Sequence, residues 1–246
     1  QHVCDEGAYA CNESSICLPT DKLILEQSQN FVTEKKTDTL KYIFLVGIGG
    51  SSLGTKAFYD AARYFPDMFE DYVPKMFFID TVNPLFLHHV VTFIQKHVHK
   101  PTEFLLIISS KSGKTTETIT NAELLLNAFS EKFSKADIYN RTISICDSDS
   151  QLAQVARQKG IVTASIPKSV GGRFSVFSTV GVIPLLFIGM DMKAVLSKAR
   201  HAQKECLDED VLKNPALASA IILYETMQQG IKIHDTFFFN SEYESI

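Results

Sequence analysis

Tyr42-Ile-Phe-Leu-Val-Gly-Ile-Gly-Gly-Ser-Ser-Leu-Gly54 sets the grammar for the rest of the chain. Its first five residues are apolar throughout rather than alternating, as suits a strand covered on both faces, and glycines then stop the run. The same pattern returns four times. Lys75-Met-Phe-Phe-Ile79 is stopped by Asp80, Phe104-Leu-Leu-Ile-Ile108 by Ser109-Ser110, Thr142-Ile-Ser-Ile145 by Cys146-Asp147, and Ile161 to Ile166 by Pro167. Helix-length stretches lie between them: Ser52 to Arg63, one opened by Asn83-Pro84, Thr115 to Lys132, and Gln151 to Lys159 closed by Gly160. Asn83 suits a cap, Pro84 a first turn and Gly160 a C-terminal stop. Strands alternating with helices predict an α/β fold: a doubly wound, parallel five-stranded sheet with helices on both faces.

The flanks read differently. Residues 1–40 form an irregular leader ending in a short amphipathic segment. Past Gly171-Gly172 the pattern becomes helical, with a long connection from Asp191 into the 220s interrupted at Asn214-Pro215. Ile233 to Phe239 then reads as a new strand. The expected organisation is a leader (1–40), a principal α/β domain (41–200), and a connecting helix with the first strand of a second domain (201–246).

Composition narrows the function classes. The chain has 246 residues, 45% hydrophobic and 21% charged, with a net charge of −4. Charges of both signs are scattered, so nothing attracts nucleic acid or an anionic membrane over long range. No apolar run reaches the roughly 20 residues of a membrane span. The nearest, Val180 to Met190, is short and contains Gly181, Pro184 and Gly189. The first residues, Gln1 to Glu6, carry no basic and apolar signal-peptide pattern. Cys4, Cys11, Cys17, Cys146 and Cys206 make an odd count without CxxC pairs, which predicts free thiols, no metal site and a cytoplasmic setting, with metal binding by Cys4, Cys11 and Cys17 of the leader as the second reading.

Three loops carry chemistry. Gly47-Ile-Gly-Gly-Ser-Ser-Leu-Gly54 joins a strand to a helix, where glycines admit a ligand to the backbone and helix N–H groups point outward. It is not a phosphate-binding P-loop, because Thr55-Lys56 follows Gly54, and Ser52 stands at the third glycine position of a dinucleotide fingerprint. Asp80 could imitate a ribose-binding acid, which keeps a nucleotide-dependent oxidoreductase open. Ser109 to Thr118 is the second loop; six of its ten residues are Ser or Thr and two are Lys. Hydroxyls and N–H groups at a helix start can form a nest for a phosphate dianion. Ser169-Val-Gly-Gly-Arg-Phe-Ser-Val-Phe-Ser178 is the third, and its Arg173 could steady a developing oxyanion or pair with a carboxylate.

Taken in order, Gly47 to Gly54, Ser110 to Thr118 and Val170 to Ser178 resemble the successive motifs of the phosphoglucose isomerase family, and Asn214-Pro215-Ala216 resembles its connection between two sugar-isomerase (SIS) domains. The resemblance runs from about Tyr42 onward. It implies a flavodoxin-like first SIS domain whose first and third strands flank the ligand crevice. It also implies interconversion of glucose 6-phosphate and fructose 6-phosphate through a cis-enediolate, without metal or organic cofactor, by a protein that is a homodimer at full length. By the same resemblance Ser110, Ser112, Thr115, Thr118, Gly50 and Ser51 would bind the sugar phosphate beside Gly172, and Arg173 and Lys111 would act in catalysis. Gly113-Lys114 departs from the aromatic-threonine pair of many members, which implies an altered loop shape. The family's base is a glutamate in a Glu-Ser-x-Gly-Lys motif. Glu244-Ser245-Ile246 echoes it too soon after Phe239 to be assigned, so the resemblance implies binding without turnover by this chain alone. A non-catalytic SIS module that senses sugar phosphates is the alternative.

Overall fold

The structure is a computed structural model, and it describes residues 9, 11–63 and 74–235. Five strands form one all-parallel sheet: β1 (Tyr42–Val46), β2 (Lys75–Ile79), β3 (Phe104–Ser109), β4 (Thr142–Cys146) and β5 (Val162–Ser165). Their order is β2-β1-β3-β4-β5, the flavodoxin-like arrangement, with the strand order reversing between β1 and β3. Each of the five strand-length runs, from Tyr42 to Ile166, is a strand to within one or two residues.

Alternate residues of each strand feed two cores. Ile43, Leu45, Leu105, Ile107, Ile143 and Ile145 face one side; Phe44, Val46, Phe104, Leu106 and Ile108 face the other. On the second side α3 (Pro84–His97), α4 (Thr116–Ser130) and the short α5 (Lys135–Asn140) cover the sheet. Phe129 of α4 stacks on Phe104 at 3.9 Å between ring centroids and meets Phe44 edge-on at 5.5 Å. α6 (Gln151–Gln158) lies beside α4.

The first side is built by α7 (Thr179–Phe187), which is apolar all round and buried at every position except Leu186. Such a helix must be enclosed. α1 (Lys22–Lys35) and α2 (Leu53–Arg63) pack on it, and α8 (Met192–Cys206) follows it. The leader therefore belongs to the core of the α/β unit: Leu18 and Ile24 are buried with Val180 and Ile183. A 3-10 segment, Asn12–Thr20, is held to α8 by Gln203 donating to Ile16 O (2.6 Å) and Arg200 to Pro19 O (3.0 Å). The C-terminal end of α1 is pinned from below the sheet by Arg141, which donates to Lys35 O and Phe104 O. Burial lowers the Arg141 guanidinium to about 10, so it stays charged at neutral pH.

Beyond α8, α9 (Pro215–Gln228) is capped by Asn214 and buries none of its residues. Of the expected strand from Ile233 to Phe239, residues 233–235 are irregular and the remainder lies outside the described residues, as does Glu244. No helix among the described residues is long and apolar enough to cross a membrane.

One buried carboxylate closes the edge of the sheet opposite the loops. Glu103 accepts from Lys41 Nζ (2.8 Å) and from the backbone N–H groups of His99 (2.7 Å) and Lys100 (3.1 Å). Burial by itself would raise this carboxyl, but the Lys41 and backbone hydrogen bonds outweigh it and hold the pKa at about 2, below its ordinary 4.5. A folded-state pKa below the unfolded one gives stability that is present above about 4.5 and lost as pH falls towards 2. Urea unfolding of Glu103→Gln should therefore show a deficit against wild type near neutral pH that shrinks across that window. A deficit independent of pH would show that Glu103 is not held as the anion.

Candidate functional site

β1 pairs with β3 in register, Val46 opposite Ile108, so the strands end within one residue of each other and release their loops side by side. The glycine loop leaves β1, makes a 3-10 turn at Gly49–Ser51 and enters α2 at Leu53. It touches the end of β3 directly, because a Cβ on Gly47 would stand 3.0 Å from Ser109 O.

The hydroxyl loop leaves β3 and enters α4. Ser110 is buried, with its Oγ 3.4 Å from Thr115 Oγ1, and Ser112 Oγ accepts from Lys114 N at 3.2 Å. Gly113 adopts φ +64 and packs so tightly that a Cβ there would lie 2.6 Å from Leu152 Cβ. Glycine at this position therefore has a local reason: a side chain would be strained and would collide. Thr115 is the N-cap of α4, yet its side chain makes no capping hydrogen bond. By contrast Asp21, Asn83, Ser134, Ser150, Ser178, Asp191 and Asn214 all cap their helices through side-chain oxygens. First-turn N–H groups of α4 are left without that partner, beside a cluster of hydroxyls.

The third loop reaches the same edge from β5. Gly172–Phe174 forms a 3-10 turn whose backbone lies against the glycine loop. A Cβ on Gly50 would fall 2.1 Å from the Gly172 carbonyl carbon, so only glycine fits. Ser175, 3% exposed, shares its hydroxyl proton between Gly50 O (3.0 Å) and Gly172 O (2.7 Å). The Arg173 side chain is exposed beside the Phe174 ring, 5.9 Å from its centroid, and among the described residues no hydrogen bond or ion pair engages it. It is a cation available to a ligand.

Of the residues singled out in the sequence, Gly50, Ser51, Ser110, Ser112, Thr115, Gly172 and Arg173 stand on three adjoining loops at the carboxyl edge of the sheet. Two others are placed less simply. Lys111 donates to Lys168 O (2.6 Å) and Val170 O (2.8 Å), so its ammonium is engaged by the third loop. Thr118 is 1% exposed and lines a small apolar pocket of about 50 Å³ between α4 and α6, with Ile108, Ser144 and Leu152. Ser175 and Asn121 were not singled out as site residues in the sequence. Ser175 lay inside a quoted motif, but its role depends on a contact 125 residues away; Asn121, which reads as part of the polar side of its helix, is buried and donates to Thr81 O at 3.0 Å. His88, His89, His97 and His99 lie on or just after α3, exposed, and no group of three or more metal-binding side chains occurs among the described residues.

The close approach of the first and third loops is asymmetric, and so are its consequences. A Cβ on Gly172 would meet Gly50 Cα at 3.6 Å, an ordinary contact. Gly50→Ala should thus cost about 1–3 kcal/mol in urea unfolding through forced separation of the two backbones, and Gly172→Ala markedly less. Equal losses would mean that the loops do not approach as described.

The phosphoglucose isomerase family model matches residues 26–245. A glucose-6-phosphate isomerase from Methanocaldococcus jannaschii is 33% identical over 82% of this chain and 46% of its own length. A probable glucose-6-phosphate isomerase from Methanococcus maripaludis is 33% identical over 73% of this chain and 39% of its own. Among solved structures, a hypothetical protein from Thermus thermophilus superposes with a TM-score of 0.76 at 28% identity, covering 89% of this chain and 49% of that one. The chain thus spans less than half the length of each of these three proteins. With a family match over nearly its whole length, resting on a flavodoxin-like sheet and three loops at its switch point, the chain belongs to the phosphoglucose isomerase family.

Proposed function

We propose that this chain supplies the sugar-phosphate-binding half of an aldose–ketose isomerase acting on glucose 6-phosphate and fructose 6-phosphate. The observation that carries the reading is the uncapped start of α4 among the hydroxyls of Ser110, Ser112 and Thr115. A phosphate dianion there would accept from first-turn N–H groups and from hydroxyls, and the helix dipole would favour its charge. A protein of net charge −4 holds such a ligand through local donors of this kind. Gly50 and Ser51 close the nest from the β1 side.

With the phosphate fixed at α4, the sugar would extend towards Gly172 and Arg173. Isomerisation through a cis-enediolate moves a proton between C1 and C2 while negative charge develops on the substrate oxygens. The unengaged Arg173 guanidinium suits the stabilisation of that charge. Proton transfer itself falls to the glutamate of the family's Glu-Ser-x-Gly-Lys motif, which has no assigned counterpart in this chain, so the chain alone binds substrate and does not turn it over. The reaction asks nothing of a metal or organic cofactor, and the site acts in the cytoplasm within a homodimer of the longer protein.

Binding is the direct test. Fructose 6-phosphate at about 100 times its dissociation constant should stabilise the chain by about 2.7 kcal/mol in thermal or urea unfolding. Paired substitution Ser110→Ala and Thr115→Val should weaken that affinity about tenfold or more, since each removes a donor to a charged ligand, and Asp80→Asn should leave it unchanged. Stabilisation by NADH with none by fructose 6-phosphate would overturn the reading in favour of a nucleotide site. Turnover by the chain, purified from a host lacking its own isomerase, would show that the proton-transfer group lies within it.

A further inference from the structure

The 3-10 turn that carries Arg173 is held at both ends, and Lys111 makes one of the two attachments. On the far side, Ser175 is bonded to Gly50 O and Gly172 O. On the near side, Lys111 crosses from the hydroxyl loop and donates to Lys168 O at 2.6 Å and Val170 O at 2.8 Å. Val170 is fully buried in the core beneath the loop, so this carbonyl is a fixed point three residues before Arg173. The backbone of Lys111 is itself anchored: its carbonyl accepts from Asp147 N at 3.0 Å. Lys168 also pairs with Asp149 at 2.6 Å, but both side chains are exposed and such a pair contributes little. The tie from Lys111 is part-buried and charge-assisted, and it is the stronger of the two.

An ammonium has three donors, and two of those on Lys111 are spent on carbonyls. Only one is left for a ligand, and the two carbonyl bonds fix where it can point. The bonds also link two regions with different tasks: the loop that would hold the phosphate and the loop that would meet the sugar carbons.

We propose that Lys111 is a positioning residue: it ties the hydroxyl loop to the Lys168–Val170 turn and so fixes Arg173 relative to the phosphate nest, acting on the sugar end of the ligand through Arg173 and contributing little to phosphate binding itself. This rests on the sugar-phosphate reading of the site for its effect on ligands, but the tie itself does not. Holding Arg173 in place before the ligand arrives lowers the ordering cost at the moment of binding.

Two measurements test it, with Lys111→Met, Lys111→Arg, Arg173→Ala and the Lys111→Met/Arg173→Ala double variant. Without ligand, amide hydrogen exchange at Phe174 and Ser175 should be about tenfold faster in Lys111→Met, with protection in α4 unchanged and Lys111→Arg restoring much of the loss. With ligand, Arg173→Ala should weaken fructose 6-phosphate about tenfold in the wild-type background but less than about twofold in Lys111→Met, the non-additivity expected of coupled groups. Inorganic phosphate should bind Lys111→Met within about threefold of wild type, since its donors lie on α4. Unchanged exchange at Phe174 and Ser175 would overturn the tie. A loss of tenfold or more in phosphate affinity, or the same Arg173→Ala penalty in both backgrounds, would overturn the positioning role. Failure of fructose 6-phosphate to bind the wild type would sink the sugar-phosphate reading, while the exchange comparison would still decide the tie.

Discussion

Everything at the candidate site depends on the register of β1 against β3. Tyr42 pairs with Phe104 and Val46 with Ile108, so the strands end within one residue of each other and their loops emerge side by side. A slip of one residue would displace one loop by about 3.3 Å and turn every side chain of its strand to the wrong core. Two distinct apolar sets enforce the register from both sides. Leu45 and Ile107 belong to the α7 face, while Val46 and Ile108 belong to the face covered by α3 and α4. The crossovers leave on opposite faces, α2 on the α7 side and α4 on the other, and the crevice opens between them.

The third loop has to be brought to that crevice from the far edge of the sheet, and α7 does this. It is enclosed by the sheet, α1 and α2, which gives the segment before it a rigid base. Ser178 caps α7 through Val180 N, and three residues earlier Ser175 binds the glycine loop. Contact between Gly50 and Gly172 then proceeds backbone to backbone, with no side chain between to take up slack. The leader contributes at one remove: α1 covers α7, and Arg141 fastens α1 to the start of β3. Residues far from the loops thus set the separation between the phosphate nest and Arg173.

Much of this was legible in the sequence because it is written in local signals. Unbroken apolar runs such as Phe104 to Ile108 mark strands buried on both faces, and Asn83-Pro84 announces the start of α3. The three motif loops follow in order, and the topology brings them together. What escaped was tertiary. Val180 to Met190 read only as an apolar run too short to span a membrane, because nothing local says that a helix will be enclosed on all sides. Residues 12–35 read as a leader, although Leu18 and Ile24 complete the core; their pattern is too short and mixed to reveal a partner more than 150 residues away. Lys111 is given a catalytic role by the resemblance; that its ammonium meets the carbonyls of Lys168 and Val170 is something no spacing rule encodes. Thr118 is assigned to the sugar phosphate by the resemblance, while the structure places it in a small pocket with Ile108 and Leu152, a placement that local sequence does not encode.

Amide chemical-shift mapping of the chain with fructose 6-phosphate would test the assembled site in one experiment. If the three loops form a sugar-phosphate crevice, the largest changes should fall together on Gly50, Ser51, Ser110, Thr116, Glu117 and Gly172, with α9 and the Glu103 edge silent. Changes absent from the start of α4, or gathered instead around Asp80, would show that the crevice between β1 and β3 is not where the ligand sits.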